Sequence, residues 1–156
     1  MARPKDPELQ HTLYSGYKKQ HTLKYEIALS ASSLLPVWVS GPFACPDADI
    51  SIFRNSLRNV MVENGCVGLA DGTYQGEPNL LAVPPRPYRN LTLQQRDFHH
   101  FLSQRRVLVE NFFGRLKKCF PCFGVRWRHG LDEHGRAFIV CVHIMAVDLF
   151  FHPLRQ

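Results

Sequence analysis

No apolar run in this chain is both long and uninterrupted. The longest, Ala137 to Phe151, is broken by His143 and Asp148 and is too short to span a bilayer as it stands, so a buried helix is expected there and no membrane partner. Nor does the beginning have the charged, apolar and small-residue order of a secretory leader: Met1 to Gln10 is polar and holds two prolines, Pro4 and Pro7. Cysteine is sparse and odd in number, at five. Without an export signal that favours reduced thiols over a disulfide framework, and a protein of the nucleus or cytoplasm that is not secreted. Internal repeats and low-complexity tracts are missing too, which leaves an ordinary folded domain.

What is present fits that frame. The 156 residues are 45% hydrophobic and 21% charged, enough for a real core in a single domain spanning 1–156. Basic residues exceed acidic ones, 19 to 13, and the excess is localised. From 104 to 136 there are eight Lys or Arg against three acids, a balance of +5; residues 1–24 carry five against two, or +3; the remainder is slightly acidic. Two separated basic segments suggest a polyanion, although many soluble domains are as basic.

Along the chain, the first thirteen residues read as irregular, and Ser15-Gly16 as a turn before the adjacent lysines Lys18 and Lys19. His21 to Leu29 alternates as a half-buried strand, with Leu23, Tyr25, Ile27 and Leu29 on one side and Thr22, Lys24 and Glu26 on the other. Leu34 to Val39 is a second strand, hairpinned to the first through Ala31–Ser33, with Pro36 placing it at an edge or a start. After a loop over 41–46, Asp47 or Asp49 is placed to cap a helix. That helix carries Ile50, Phe53, Leu57, Val60 and Met61 and stops at Asn64-Gly65.

Cys66 to Ala70 has no polar face, as in a strand covered on both sides. It ends at Asp71, beside Gly72. An acid directly after a buried strand is a common place for a catalytic carboxylate in an open sheet; equally, it is a turn aspartate capping the next segment. A proline-rich loop follows to Asn90. Thr92 and Gln95 then form a capping box that starts a long helix ending before Pro121.

In that helix Phe98, Phe101, Leu102, Val109, Phe112, Phe113, Leu116 and Phe120 make a helical stripe facing a core. Glu110 lies at its edge, one turn from Arg106 and two from Lys117. It is either an ion-paired acid on a solvated face or an acid held at the rim of a site. Gly114, costly within a helix by roughly 1 kcal/mol, leaves the surface beyond Glu110 bare.

Four segments, in order, carry a family resemblance: Y-S-G-Y-K-K-Q-H-T-L-K from Tyr14, I-F-R-N-S from Ile52, L-A-D-G-T-Y from Leu69, and R-R-V-L-V-E-N-F-F-G-R-L-K from Arg105. Together they resemble the DDE superfamily of transposases and endonucleases, most closely the Harbinger-like, transposase-derived type, over about 3–152. The resemblance implies an α/β, ribonuclease H-like fold, a mixed sheet flanked by helices, and phosphodiester cleavage with two Mg²⁺ or Mn²⁺ ions held by three carboxylates. Asp71 matches the family's second acid and Glu110 its third. The first lies on a strand upstream of the segment seen here as Arg3-Pro4, so the domain is expected to be partial at its N-terminus and to lack that strand and acid; Asp49 matches a helix-start aspartate, a cap. DNA contacts would fall to Lys18, Lys19, Arg115, Lys117, Lys118, Arg126 and Arg128. A catalytically dead DNA- or protein-binding module on the same fold is the alternative, and a homo-oligomer or a protein partner is compatible with either. From a different class, Cys119 and Cys122 with His129 and His134 could be zinc ligands, although six residues between Cys122 and His129 are too few for the usual finger.

Overall fold

A computed structural model describes residues 4–16, 18–84, 90–125 and 127–154. It is mixed α/β. In order it has α1 (Pro7–Leu13), β1 (Tyr14–Ser15), β2 (Gln20–His21), β3 (Leu23–Leu29), β4 (Pro36–Ala44), α2 (Asp49–Asn55), α3 (Leu57–Glu63), β5 (Gly68–Leu69), β6 (Leu81–Ala82), α4 (Leu93–Cys119) and α5 (Leu131–Phe151). The strands form three two-stranded sheets: antiparallel β1–β2 and β3–β4, and parallel β5–β6. The chain divides into two compact units, 1–47 with 112–156, and 48–111.

In the first unit, the segment expected to be irregular is helical from Pro7. Asp6 caps it, its carboxylate accepting from Glu8 N–H at 2.9 Å, and proline supplies the first helical residue. β3 and β4 form the expected hairpin, and Pro36 opens β4. β4 runs on through the presumed loop to Ala44, because the register shifts at Tyr25 and lets the strand continue. Gly41, at φ +129°, faces that shift; a Cβ there would lie 2.7 Å from the Tyr25 ring. The side of β3 expected to be polar buries Glu26, whose carboxylate accepts from Trp38 Nε1–H at 3.2 Å.

α5 begins six residues earlier than its apolar run and is, by length and composition, long enough to cross a membrane. It packs on β4. Phe138, Val142, Met145 and Leu149 are buried, while Val140, Ile144, Val147 and Phe151 are exposed, so the expected buried helix is covered on one face. Gly135 has a defined reason: a Cβ there would meet Pro42 Cδ at 2.9 Å.

In the second unit, Phe53, Met61 and Leu81 are the buried core, with Ile50, Leu57 and Tyr74 against it. The expected single helix is two, broken at Ser56, where the hydroxyl donates to Ile52 O at 2.9 Å and draws the backbone off the helical path. Ala48, not Asp47 or Asp49, is its N-cap residue; Asp49 lies in the first turn. Asn64 and Gly65 (φ +60°) end α3 as expected. The apolar run at Cys66 gives only two strand residues, and Val67 and Leu69 are exposed, so it is not covered on both sides. Within the expected surface loop lies β6, and Glu77 there accepts from Arg54 at 2.7 Å and Arg58 at 3.2 Å, which hold its carboxyl below the usual range. The capping box is intact: Gln95 N–H donates to Thr92 Oγ1, and Thr92 N–H to Gln95 Oε1. The α4 stripe is narrower than its sequence pattern. Leu102, Leu108, Phe112 and Leu116 are buried, while Phe98 and Phe101 are exposed, the latter under the Arg105 guanidinium at 5.3 Å.

Two glycines should respond in opposite directions to alanine. Gly114→Ala, with nothing within 4 Å of the new methyl, should stabilise by up to about 1 kcal/mol. Gly135→Ala should destabilise by roughly 1–3 kcal/mol through overpacking on Pro42. Denaturant midpoints measure both, and a stabilising Gly135→Ala would contradict the α5–β4 packing.

Candidate functional site

Both candidate acids belong to the second unit. Asp71 follows β5 and caps a single 3-10 turn, Gly72–Tyr74: its Oδ1 accepts from Thr73 N–H at 2.7 Å and from the Thr73 hydroxyl. It lines a depression of about 100 Å³ together with Gly72, His99, Ser103 and Arg106. Those last three are at i, i+4 and i+7 on α4, and Glu110 is the next position on the same stripe. Glu110 is exposed, and its Oε1 takes Arg106 Nε–H at 3.1 Å. Arg106 thus lines the Asp71 depression and also binds Glu110. The sequence signal for His99, Ser103 and Arg106 as depression-lining residues is their helical spacing alone.

Among the described residues, no group of three or more His, Cys, Asp or Glu side chains is arranged to hold a metal ion. Asp71 has an oxygen engaged by Thr73, and Glu110 has a guanidinium as neighbour, whose positive charge opposes a divalent cation at that carboxylate. The donor set in this arrangement therefore does not fit a metal pair. The zinc constellation is likewise unassembled: His134 Nδ1 is held by the Tyr25 hydroxyl at 2.7 Å, with the His134 ring stacked on Tyr25 and edge-on to Trp127. Burial lowers the His134 pKa and raises that of the Tyr25 phenol, so the pair is a neutral hydrogen bond in an aromatic cluster.

The candidate DNA-contacting cations lie in the first unit, and they are not alike. Lys18 and Lys19 are exposed in the β1–β2 turn, Lys117 and Lys118 in the last turn of α4, and Arg128 before α5. Arg126 lies outside the described residues. Arg115 is already engaged: Nη2 pairs with Asp148 Oδ2 at 2.7 Å, and Nη1 donates to His152 O at the end of α5.

One candidate acid follows a short strand and the other sits on a long helix of a mixed α/β structure. A family model described as DDE superfamily endonuclease matches residues 1–145, and the chain belongs to that family. No curated protein and no solved structure matches it significantly.

Arg115 and Lys117 should separate in their effects. Arg115→Ala should cost roughly 1–3 kcal/mol of stability by freeing Asp148 and the α5 terminus. Lys117→Ala should stay within about 0.5 kcal/mol of the parent. Thermal unfolding of the two variants distinguishes them, and equal stabilities would remove the structural role of Arg115.

Proposed function

We propose that this chain is a DDE-type domain of the nucleus or cytoplasm that binds the phosphodiester backbone of DNA and does not by itself assemble the metal-dependent cleavage site. Membership in the DDE superfamily endonucleases supports DNA as the partner in general, and the family generally uses divalent metals. The order of the β3–β4 hairpin, α2–α3, β5 and α4 supports a ribonuclease H-like arrangement. Asp71 and Glu110 are its second and third acids. The observation that carries the reading is that each is engaged by a protein donor, with no third carboxylate gathered beside them among the described residues. Two-metal cleavage needs both ions fixed and the reacting phosphate aligned, and two acids so engaged supply neither.

Binding then rests on exposed cations that neutralise phosphates and release counterions, and it is strongly salt-dependent. Lys117 and Lys118 follow Glu110 on α4, and Lys18 and Lys19 lie in the β1–β2 turn.

Fluorescence anisotropy on a labelled duplex across a salt series, run beside nicking of supercoiled plasmid in Mg²⁺ and in Mn²⁺, tests this. Expected are salt-sensitive binding, no nicking, and a log–log salt slope reduced by about 2 in a double Lys117→Ala, Lys118→Ala variant. Metal-dependent nicking that is lost in both Asp71→Asn and Glu110→Gln would overturn the reading in favour of an active endonuclease.

A further inference from the structure

We propose that the outward face of α5 is an apolar seam that closes on the same seam of a second copy of this chain, the two helices running antiparallel. Phe138, Val142, Met145 and Leu149 recur at intervals of four, three and four residues and are the buried face of α5, which packs on β4. Val140, Ile144, Val147 and Phe151 repeat those intervals two residues further along, about 200° round the helix. They are 51–69% exposed. Phe150, 71% exposed, meets Phe151 edge-on at 5.3 Å and widens the stripe at its C-terminal end. From Ala137 to Phe151 the only Asp, Glu, Lys, Arg or His residues are His143 and Asp148, and Asp148 is held by Arg115 Nη2 at 2.7 Å. A helix face that stays in water ordinarily carries the charged residues of its sequence. This seam carries none.

Period, side-chain size and area select a second copy as the cover. A repeat of 3.5 residues keeps a seam facing another helix with knobs in holes, and such a seam is complementary to itself about a twofold axis. With that axis at Ile144, Val140 falls opposite Val147 of the second copy. Half-buried Ala137 falls opposite Phe151, so the smallest residue of the stripe meets the largest. Antiparallel order also sets the amino end of each helix dipole beside the carboxyl end of the other, and it keeps the acidic first turns, Asp132 and Glu133, apart. Scaled from about 200 Å² for a whole phenylalanine side chain, the five exposed residues present on the order of 500 Å² of apolar surface per chain. Two chains then bury about 1,000 Å², the lower bound of a specific interface.

A bilayer is the poorer fit. Spanning it would draw the Asp148–Arg115 ion pair and β4 into hydrocarbon. Lying on it would set the exposed Asp132 and Glu133 against anionic headgroups.

An interface of this size should have a dissociation constant on the order of micromolar. Light scattering after size exclusion, with sedimentation across dilution, should therefore show a dimer near about 100 µM and a monomer near about 0.1 µM. Val140→Glu and Val147→Lys, each at an exposed position, should stay folded by near-UV circular dichroism. Each should weaken association about 100-fold or more, because it sets two unpaired charges in the seam. An equimolar mixture of the two should re-form a dimer. In the antiparallel order the new carboxylate faces the new ammonium in one layer, and the parent valines face each other in the other. A parent that is monomeric at every concentration would overturn the proposal, as would variants that dimerise like the parent. A mixture that stays monomeric would overturn the antiparallel seam. So would a parent that is monomeric in solution and floats with phosphatidylcholine–phosphatidylserine vesicles, which would give the face to a membrane. Should either variant not fold, Ile144→Ala, a truncation on the axis, takes its place and should weaken the dimer about 10-fold or more; an unchanged constant would sink the proposal.

Discussion

The ion pair between Arg106 Nε and Glu110 Oε1, at 3.1 Å along one face of α4, governs what the candidate site can do. As an exposed helix pair it contributes only about 0.3–0.5 kcal/mol to stability. Its chemical effect is larger than its energetic one. The Glu110 carboxylate has a guanidinium beside it where a hard cation would sit, and that same Arg106 lines the depression holding Asp71. A divalent ion would have to displace the arginine at one acid and compete with Thr73 at the other.

A different constraint orders the first unit. Tyr25 sits at the register shift of β3, where its ring covers the backbone of Gly41, stacks on Phe138 at 3.7 Å and meets His134 through its hydroxyl. One side chain therefore fixes the β4 path and two residues of α5. The Gly135–Pro42 approach completes the same junction, which is why glycine is required in a helix that otherwise tolerates bulk. The aromatic cluster extending through Phe123 and Trp127 accounts for the histidines that sequence spacing offered as zinc ligands. The His134 imidazole nitrogen is engaged by the Tyr25 hydroxyl and is held as a structural group.

What the sequence made legible follows from how local each signal is. The capping box at Thr92, the stop at Asn64-Gly65 and the β3–β4 hairpin depend on neighbours a few residues apart, and all appear in the structure. Asp6-Pro7-Glu8 is an equally local start signal, an N-cap followed by proline at the first helical position, and it outweighs the irregular look of the polar, proline-containing segment around it. Other features were not local. The break at Ser56 depends on a hydroxyl choosing a backbone carbonyl over solvent, and the continuation of β4 through Gly41 depends on where Tyr25 packs. For the site, the family resemblance picked out Asp71 and Glu110 as acids, and the family match covers both. Their present engagements with Thr73 and Arg106 correspond to the plainer alternatives that spacing had offered for each, the turn cap and the helix-face ion pair.

The cations left for DNA have a common character. With Arg115 joined to Asp148 and the α5 terminus, four of the five exposed candidates placed in the structure are lysines: Lys18, Lys19, Lys117 and Lys118. An ammonium is a compact point charge without the planar fork that reads a base edge or grips a phosphate bidentately. Lys117 and Lys118 also sit where the carbonyl end of α4 favours positive charge, so their positions suit the helix as well as a ligand. Contacts of this kind position a protein on the backbone and carry no sequence information. A domain that relies on them binds by charge density, loses affinity steeply with salt, and draws no target preference from these lysines.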